Sequence, residues 1–193
     1  MKGKDRREVL KSSASALAAG ATLALGFPVF AAKKIKPAKM PPQIGDYLVF
    51  PSWEGDGKRV TLADVPISEA PLLAYPQDPE TDVIRERSRR NQLLLARFDE
   101  AALDEKTRSY AVNGVLAYSG MCTHTGCGVS EWNAESKNFL CPCHSSEFDP
   151  RQSAKVIGGP ATRALPLLKI AQDDIGFVVA GEFSGAVGPP RKK

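Results

Sequence analysis

From residue 47 onward the apolar positions come in short runs bounded by Gly, Pro and Asp: Tyr47 to Phe50, Leu72 to Tyr75, Gln92 to Phe98, Ala111 to Tyr118, Ser136 to Leu140, Leu165 to Ile170 and Gly176 to Ala180. None is long enough for a 3.6-residue period to define an amphipathic helix. Runs of about 4 to 8 residues, several rich in Val and Ile and closed by turn formers, predict an all-β domain, a small antiparallel sandwich or barrel. Two stretches depart from this pattern. Residues 82–91, from Asp82 to Asn91, are strongly charged and read as a short helix or a solvated loop, a face that an acidic partner could meet. Lys33 to Pro42 is Lys- and Pro-rich with little to bury, so it reads as a linker or a strap across the surface. The expected layout is a linker at 33–46, a folded domain at 47–184 and a disordered tail at 185–193 ending in Pro190-Arg191-Lys192-Lys193.

Residues 1–32 have the pattern of a targeting segment: a charged start, then 21 uncharged residues from Ser12 to Ala32 rich in Ala, Gly and Leu. Within the start, Arg6-Arg7-Glu8-Val9-Leu10-Lys11 has the adjacent arginines, apolar residues and lysine of a bacterial twin-arginine export signal; an ordinary basic secretory start is the other reading. Val29-Phe30-Ala31 fits a cleavage site, while the uncharged run also has the length of a membrane anchor. Lysines 33, 34, 36 and 39 follow it, so charge bias does not fix an orientation. Either reading places the folded domain in the periplasm, soluble or anchored.

Composition narrows the function classes. A chain of 193 residues, 42% hydrophobic, can bury one good core once the leader is set aside. Five basic against two acidic residues in the first eleven account for +3 of the formal +4, so the remainder is near neutral and nucleic-acid binding is not expected. All four cysteines and both histidines fall between residues 122 and 144. Core cysteines and incidental histidines would be dispersed; this clustering predicts ligation.

The donors form two boxes, Cys122-Thr123-His124-Thr125-Gly126-Cys127 and Cys141-Pro142-Cys143-His144-Ser145-Ser146, in the pattern C-x-H-x(16)-C-x-x-H. Two thiolates and two neutral imidazoles suit a [2Fe-2S] cluster in which one iron takes both cysteines and the other both histidines. Replacing two thiolates by imidazoles lowers the negative charge and moves the potential to about −150 to +300 mV, from about −400 mV with four cysteines. Zinc also accepts two Cys and two His, but its pairs normally come as C-x(2–4)-C and H-x(3–5)-H, whereas each box here mixes one of each. Cys127 and Cys143 are spare. Folding the boxes around one centre would bring them together, and outside the cytoplasm a disulfide is the expected state, with two buried free thiols as the alternative.

These boxes, with Gly159-Pro160-Ala161 further on, resemble the Rieske iron–sulfur family over roughly residues 110 to 180. The resemblance implies an antiparallel β domain with two ligand loops at its tip. Cys122 and Cys141 would bind one iron, and His124 and His144 the outer one. A loop disulfide and a shielding loop at Gly159 and Pro160 are implied as well. Loop cysteines place the chain with respiratory members, such as the quinol:cytochrome c oxidoreductase subunit, rather than with ring-hydroxylating oxygenases. The absence of further histidines for a mononuclear iron site agrees. Looser patterns at Tyr75 to Glu80, Asn133 to Lys137, Phe148-Asp149-Pro150 and Ala161-Thr162-Arg163 are similar to the arsenite oxidase small subunit. Implied partners are a larger cytochrome b-like or molybdenum-containing subunit and a c-type cytochrome or similar acceptor, with no turnover expected from this chain alone. The family's quinol-oxidising members keep a Ser and a Tyr after the second histidine as donors to sulfur. Here Ser146 is kept and Phe148 replaces the Tyr, which predicts a lower potential. An exported, metal-stapled binding module without redox chemistry is the competing class.

Overall fold

The computed structural model describes residues 35–190; the expected leader at 1–32 and the last three residues lie outside them. Among the described residues no helix is long and apolar enough to cross a membrane. Ten strands carry the fold: β1 Tyr47–Val49, β2 Leu72–Gln77, β3 Leu93–Arg97, β4 Val115–Ser119, β5 Glu131–Asn133, β6 Asn138–Cys141, β7 Ser146–Asp149, β8 Lys155–Gly158, β9 Leu167–Gln172 and β10 Phe177–Phe183. Six close a barrel in the order β1-β10-β9-β4-β3-β2, and the other four form a sheet in the order β5-β6-β7-β8. Every pair of neighbouring strands is antiparallel, as the all-β reading expects.

The two sheets share one wall. Alternate residues of the barrel strands, among them Leu48, Ala74, Leu93, Leu95, Ala117, Ile170 and Phe177, fill the barrel. The residues between them, Leu94, Ala96, Leu116, Tyr118 and Leu167, point the other way, into a second core with Phe139, Phe148, Cys122 and Cys141. β3 and β4 are thus buried on both faces, which is why they read as unbroken apolar runs instead of alternating ones. The run Ala111 to Tyr118 is not one strand. Asn113 (φ 52°) and Gly114 (φ 77°) make a two-residue turn that pairs Val112 with Val115, and a Cβ on Gly114 would fall 2.2 Å from the Phe98 carbonyl oxygen.

Two expectations change, and the strap reading of the Lys- and Pro-rich stretch is the one that holds. The charged stretch at 82–91 is not a solvated face throughout: Arg85 is 3% exposed and donates to Asp46 at 2.7 and 2.9 Å and to Asp78 at 3.2 Å. Asn91 Nδ2 donates to the carbonyls of Met40 and Arg85, and the Arg87 N–H to Ala38 O. Residues 37–46 are therefore a strap fastened to the barrel, with Asp46, itself 2% exposed, as the charged half of a buried pair. The segment from Ser184 to Pro190, read from sequence as a tail from residue 185, is held by the side chains of Arg90 and Arg163.

Candidate metal centre

Both boxes sit on loops that lead into or lie within the second sheet. The first loop joins β4 to β5 and closes on itself: Val129 N–H donates to Gly120 O, Cys122 N–H to Cys127 O at 2.8 Å, and Gly126 N–H to Cys122 O at 3.1 Å. Gly126 makes the last turn at φ 85°, a conformation open to glycine. The second loop is the β6–β7 hairpin, with Cys141 paired opposite Ser146 and the exposed residues Pro142, Cys143, His144 and Ser145 forming its turn. A third segment, Gly158 to Ala161, lies directly on that turn. Gly159 has φ 75°, and a Cβ there would lie 2.5 Å from Ser145 O and Ser146 Cα, so the close approach itself excludes a side chain. Ser146, fully buried, accepts the Ala161 N–H at 3.2 Å. Pro160 is exposed at the outer edge of this segment.

The predicted donors are brought together. Cys127 and Cys143 are joined in a disulfide that ties the two loops, with their Cα atoms 6.5 Å apart. Cys122 and Cys141 are free and each 1% exposed. Burial pushes the Cys141 thiol up, the neighbouring Cys122 thiol adds to that, and the backbone N–H groups of Cys143 and His144 act against it. The His124 and His144 rings stand perpendicular with centroids 4.7 Å apart. His124 Nδ1 is buried with no hydrogen-bond partner, while His144 is exposed.

By sulfur distance alone the tightest trio is Cys127, Cys141 and Cys143, within 4.8 Å of one another. Two of these are spent in the disulfide and have no lone thiolate to offer, so the chemistry favours the other set. Cys122 and Cys141 supply two buried thiols that a bound cation would deprotonate. His124 supplies an unpaired ring nitrogen in a place where an unsatisfied acceptor is otherwise costly, and His144 stands beside it. These residues fit a two-Cys, two-His metal centre.

A family model described as the Rieske [2Fe-2S] domain matches residues 90–169. Residues 90–169 are a Rieske [2Fe-2S] domain. Such a domain implies a [2Fe-2S] cluster, and the paired buried thiols agree with it. Among curated proteins, a Haloferax mediterranei protein provisionally named a respiratory nitrate reductase Rieske subunit is 38% identical over 146 residues, 75% of this chain and 61% of that protein. The cytochrome bc1 complex Rieske iron–sulfur subunit of Streptomyces lividans is 40% identical over 99 residues, 50% of this chain and 58% of that one. The chain spans less than two thirds of the length of either relative. The crystal structure of a Synechocystis plasma membrane Rieske protein aligns at 24% identity over 55% of this chain and 84% of its own, with a TM-score of 0.36.

Within the Rieske domain, Phe148 is fully buried on β7 opposite Phe139, in the same core as Cys122 and Cys141. Tyr118, also fully buried, packs edge-on against Phe139 and donates its hydroxyl to Pro150 O. It therefore supports the loops from below and is not a substitute for the hydroxyl missing at Phe148. Sequence reasoning overlooked Thr123. It looks like filler between two donors, yet it is 1% exposed and donates to Arg163 O at 2.5 Å. Only its place inside the first box marks it.

Proposed function

We propose that Cys122, His124, Cys141 and His144 hold a [2Fe-2S] cluster, and that this chain is the one-electron relay subunit of a respiratory oxidoreductase outside the cytoplasm. The observation that carries this reading is the pair of buried free thiols beside a histidine pair, with the spare cysteines consumed in a disulfide. The cluster, when bound, supplies reversible one-electron chemistry at mild potential.

The residues divide the remaining work. Cys122 and Cys141 lie inward, sealed from water, while His144 stands at the surface and offers the short path to a partner. The N–H groups of Cys143 and His144 aimed at the Cys141 sulfur favour added negative charge there and so favour the reduced state. Phe148 adds no donor, which sets the potential below that of a Ser/Tyr site. Gly159 and Pro160 cover the second loop and limit access of water. A cytochrome b-like or molybdenum-containing subunit would be the larger partner and a c-type cytochrome or similar protein the acceptor, in line with the relatives named for a bc1 complex and a nitrate reductase. The twin-arginine pattern at Arg6-Arg7 suits such cargo, since that route exports folded protein and the cluster is assembled in the cytoplasm.

The test is electron paramagnetic resonance of the dithionite-reduced protein during a potentiometric titration, with metal analysis of the same sample. A signal of mixed Cys/His ligation with two irons per chain supports the reading. Stoichiometric zinc, no iron and no signal would replace it with a metal-stapled binding module. Co-purification with a molybdenum subunit, or sensitivity to quinone-site inhibitors in membranes, decides between the two kinds of parent complex.

A further inference from the structure

The first ligand loop is braced from outside by the end of the described chain. Ser184 leaves β10 with its N–H donating to Leu167 O at 2.7 Å and its Oγ accepting the Leu167 N–H at 2.9 Å, which turns the chain back beside β9. The next carbonyls are taken by two arginines. Arg163 Nη1 donates to Ala186 O at 3.4 Å and Nη2 to Gly188 O at 2.6 Å, and Arg90 Nη1 donates to Val187 O. Gly188 has φ 73°, and a Cβ on it would sit 2.5 Å from Met121 Sδ; a Cβ on Gly126 would sit 3.3 Å from Pro189 Cδ. Gly188 and Pro189 thus rest on Met121 and Gly126, one on each limb of the first loop.

Arg163 meets that loop again through its main chain. Its carbonyl accepts the buried Thr123 hydroxyl, and Thr123 lies between Cys122 and His124. The loop's internal bonds, Cys122 to Cys127 and Gly126 to Cys122, fix its width. Its base is anchored by the Gly120 N–H donating to Gln92 O at 2.7 Å, and its far end by the Cys127–Cys143 disulfide. Arg163 adds a further anchor between them, with its backbone on Thr123 and its guanidinium on the segment that covers Met121 and Gly126.

We infer that Ser184–Pro190 is a brace for the first ligand loop, and that Arg163 is a positioning residue that fixes Thr123 and, through it, the orientation of His124. This rests on the ligand assignment proposed above. Arg163 suits the task because its planar fork holds donors on separate nitrogens at fixed directions toward two carbonyls, whereas a lysine offers its donors from one flexible point.

The experiment uses the full, cluster-loaded chain with Arg163→Ala, Arg163→Lys and Gly188→Val. Arg163→Ala is expected to alter the g-values or broaden the signal of the reduced centre and to shorten the half-life of its visible absorption by about tenfold, the scale of one lost hydrogen bond to a charged group. Arg163→Lys restores part of both. Gly188→Val, which removes no charge, gives the same direction of change, while far-ultraviolet circular dichroism stays that of the wild type. Unchanged spectra and half-lives in all three variants, with a normal wild-type signal, would overturn the brace and leave the ligand assignment standing. A wild type without the signal would remove the ligand assignment instead. The brace is then judged by amide exchange at Gly126 and Val129 in the metal-free chain, where equal protection in wild type and Arg163→Ala overturns it.

Discussion

Replacing both Cys127 and Cys143 by serine isolates the contribution of the loop disulfide. The bridge closes 16 residues of chain, and loop-closure entropy for that length stabilises the closed state by about 3 kcal/mol. Little else should change, because Cys143 is exposed and Cys127 half-buried, so the serine hydroxyls remain hydrated. About 3 kcal/mol corresponds to roughly a 150-fold shift in the equilibrium between joined and parted loops. The effect concentrates in the second sheet, whose strands have only three or four residues, while the barrel keeps its own core. Trp132 on β5 packs near Phe98 and Phe139 and reports on that half; Trp53, 62% exposed, is removed as Trp53→Phe. Urea titration of the metal-free chain followed by Trp132 emission measures the loss directly. The loaded protein should bleach faster by a comparable factor. A loss below about 0.5 kcal/mol would refute the reasoning, since it would mean that the unfolded chain gains almost no freedom when the bridge is cut.

Phe148→Tyr should raise the midpoint potential by about 40 mV if the new hydroxyl gains ~1 kcal/mol on reduction, at ~59 mV per tenfold; no rise in a redox titration would show that the ring does not reach a ligand sulfur. Gly159→Ala forces a Cβ against Ser145 and Ser146 at φ 75° and should lower the melting temperature by about 4 °C, from ~1–2 kcal/mol of backbone strain, with faster loss of the visible spectrum. An unchanged melting curve would mean that this segment rides clear of the second loop. Asp173 is held at about 2 by the Gly176 N–H and by Arg59. Because its folded value lies below the unfolded one, its stabilisation is complete above about pH 4 and lost as the pH falls toward 2. Asp173→Asn should therefore lower the urea midpoint at pH 6 by clearly more than at pH 2, where the folded carboxyl is half protonated; an equal deficit at both would exclude this linkage.

The barrel strands were legible because burial on one or both faces leaves an apolar signature, as in Leu93 to Ala96 and Val115 to Tyr118. Of the strands on either side of the two loops, β4 and β6 showed as apolar runs, at Ala111 to Tyr118 and Ser136 to Leu140, and the others did not. β5 (Glu-Trp-Asn), β7 (Ser-Glu-Phe-Asp) and most of β8 (Lys-Val-Ile-Gly) are too short and too polar to show a two-residue period, and what holds them is register against a neighbour. Asp82 to Asn91 misled for a different reason. A charge on a sequence looks solvated until its counter-ions are placed, and Asp46 lies 39 residues before Arg85. The segment after Ser184 has the composition of a tail, and its order comes from Arg90 and Arg163, which no local pattern reveals. The two boxes stood out in the sequence, and the structure brings their cysteines and histidines together, because a dense set of Cys and His needs no fold to be noticed. That Cys127 and Cys143 pair followed from their being surplus to the centre.

β4 and β9 are barrel neighbours, and Ser119 N–H donates to Pro166 O at 2.9 Å. Residues 120–166, with every cysteine and histidine, are thus a long excursion from what would otherwise be a hairpin. Both loops therefore belong to one uninterrupted stretch of chain that leaves the barrel at β4 and rejoins it at β9. The barrel is the frame and the excursion its insert, entered and left through two adjacent strands.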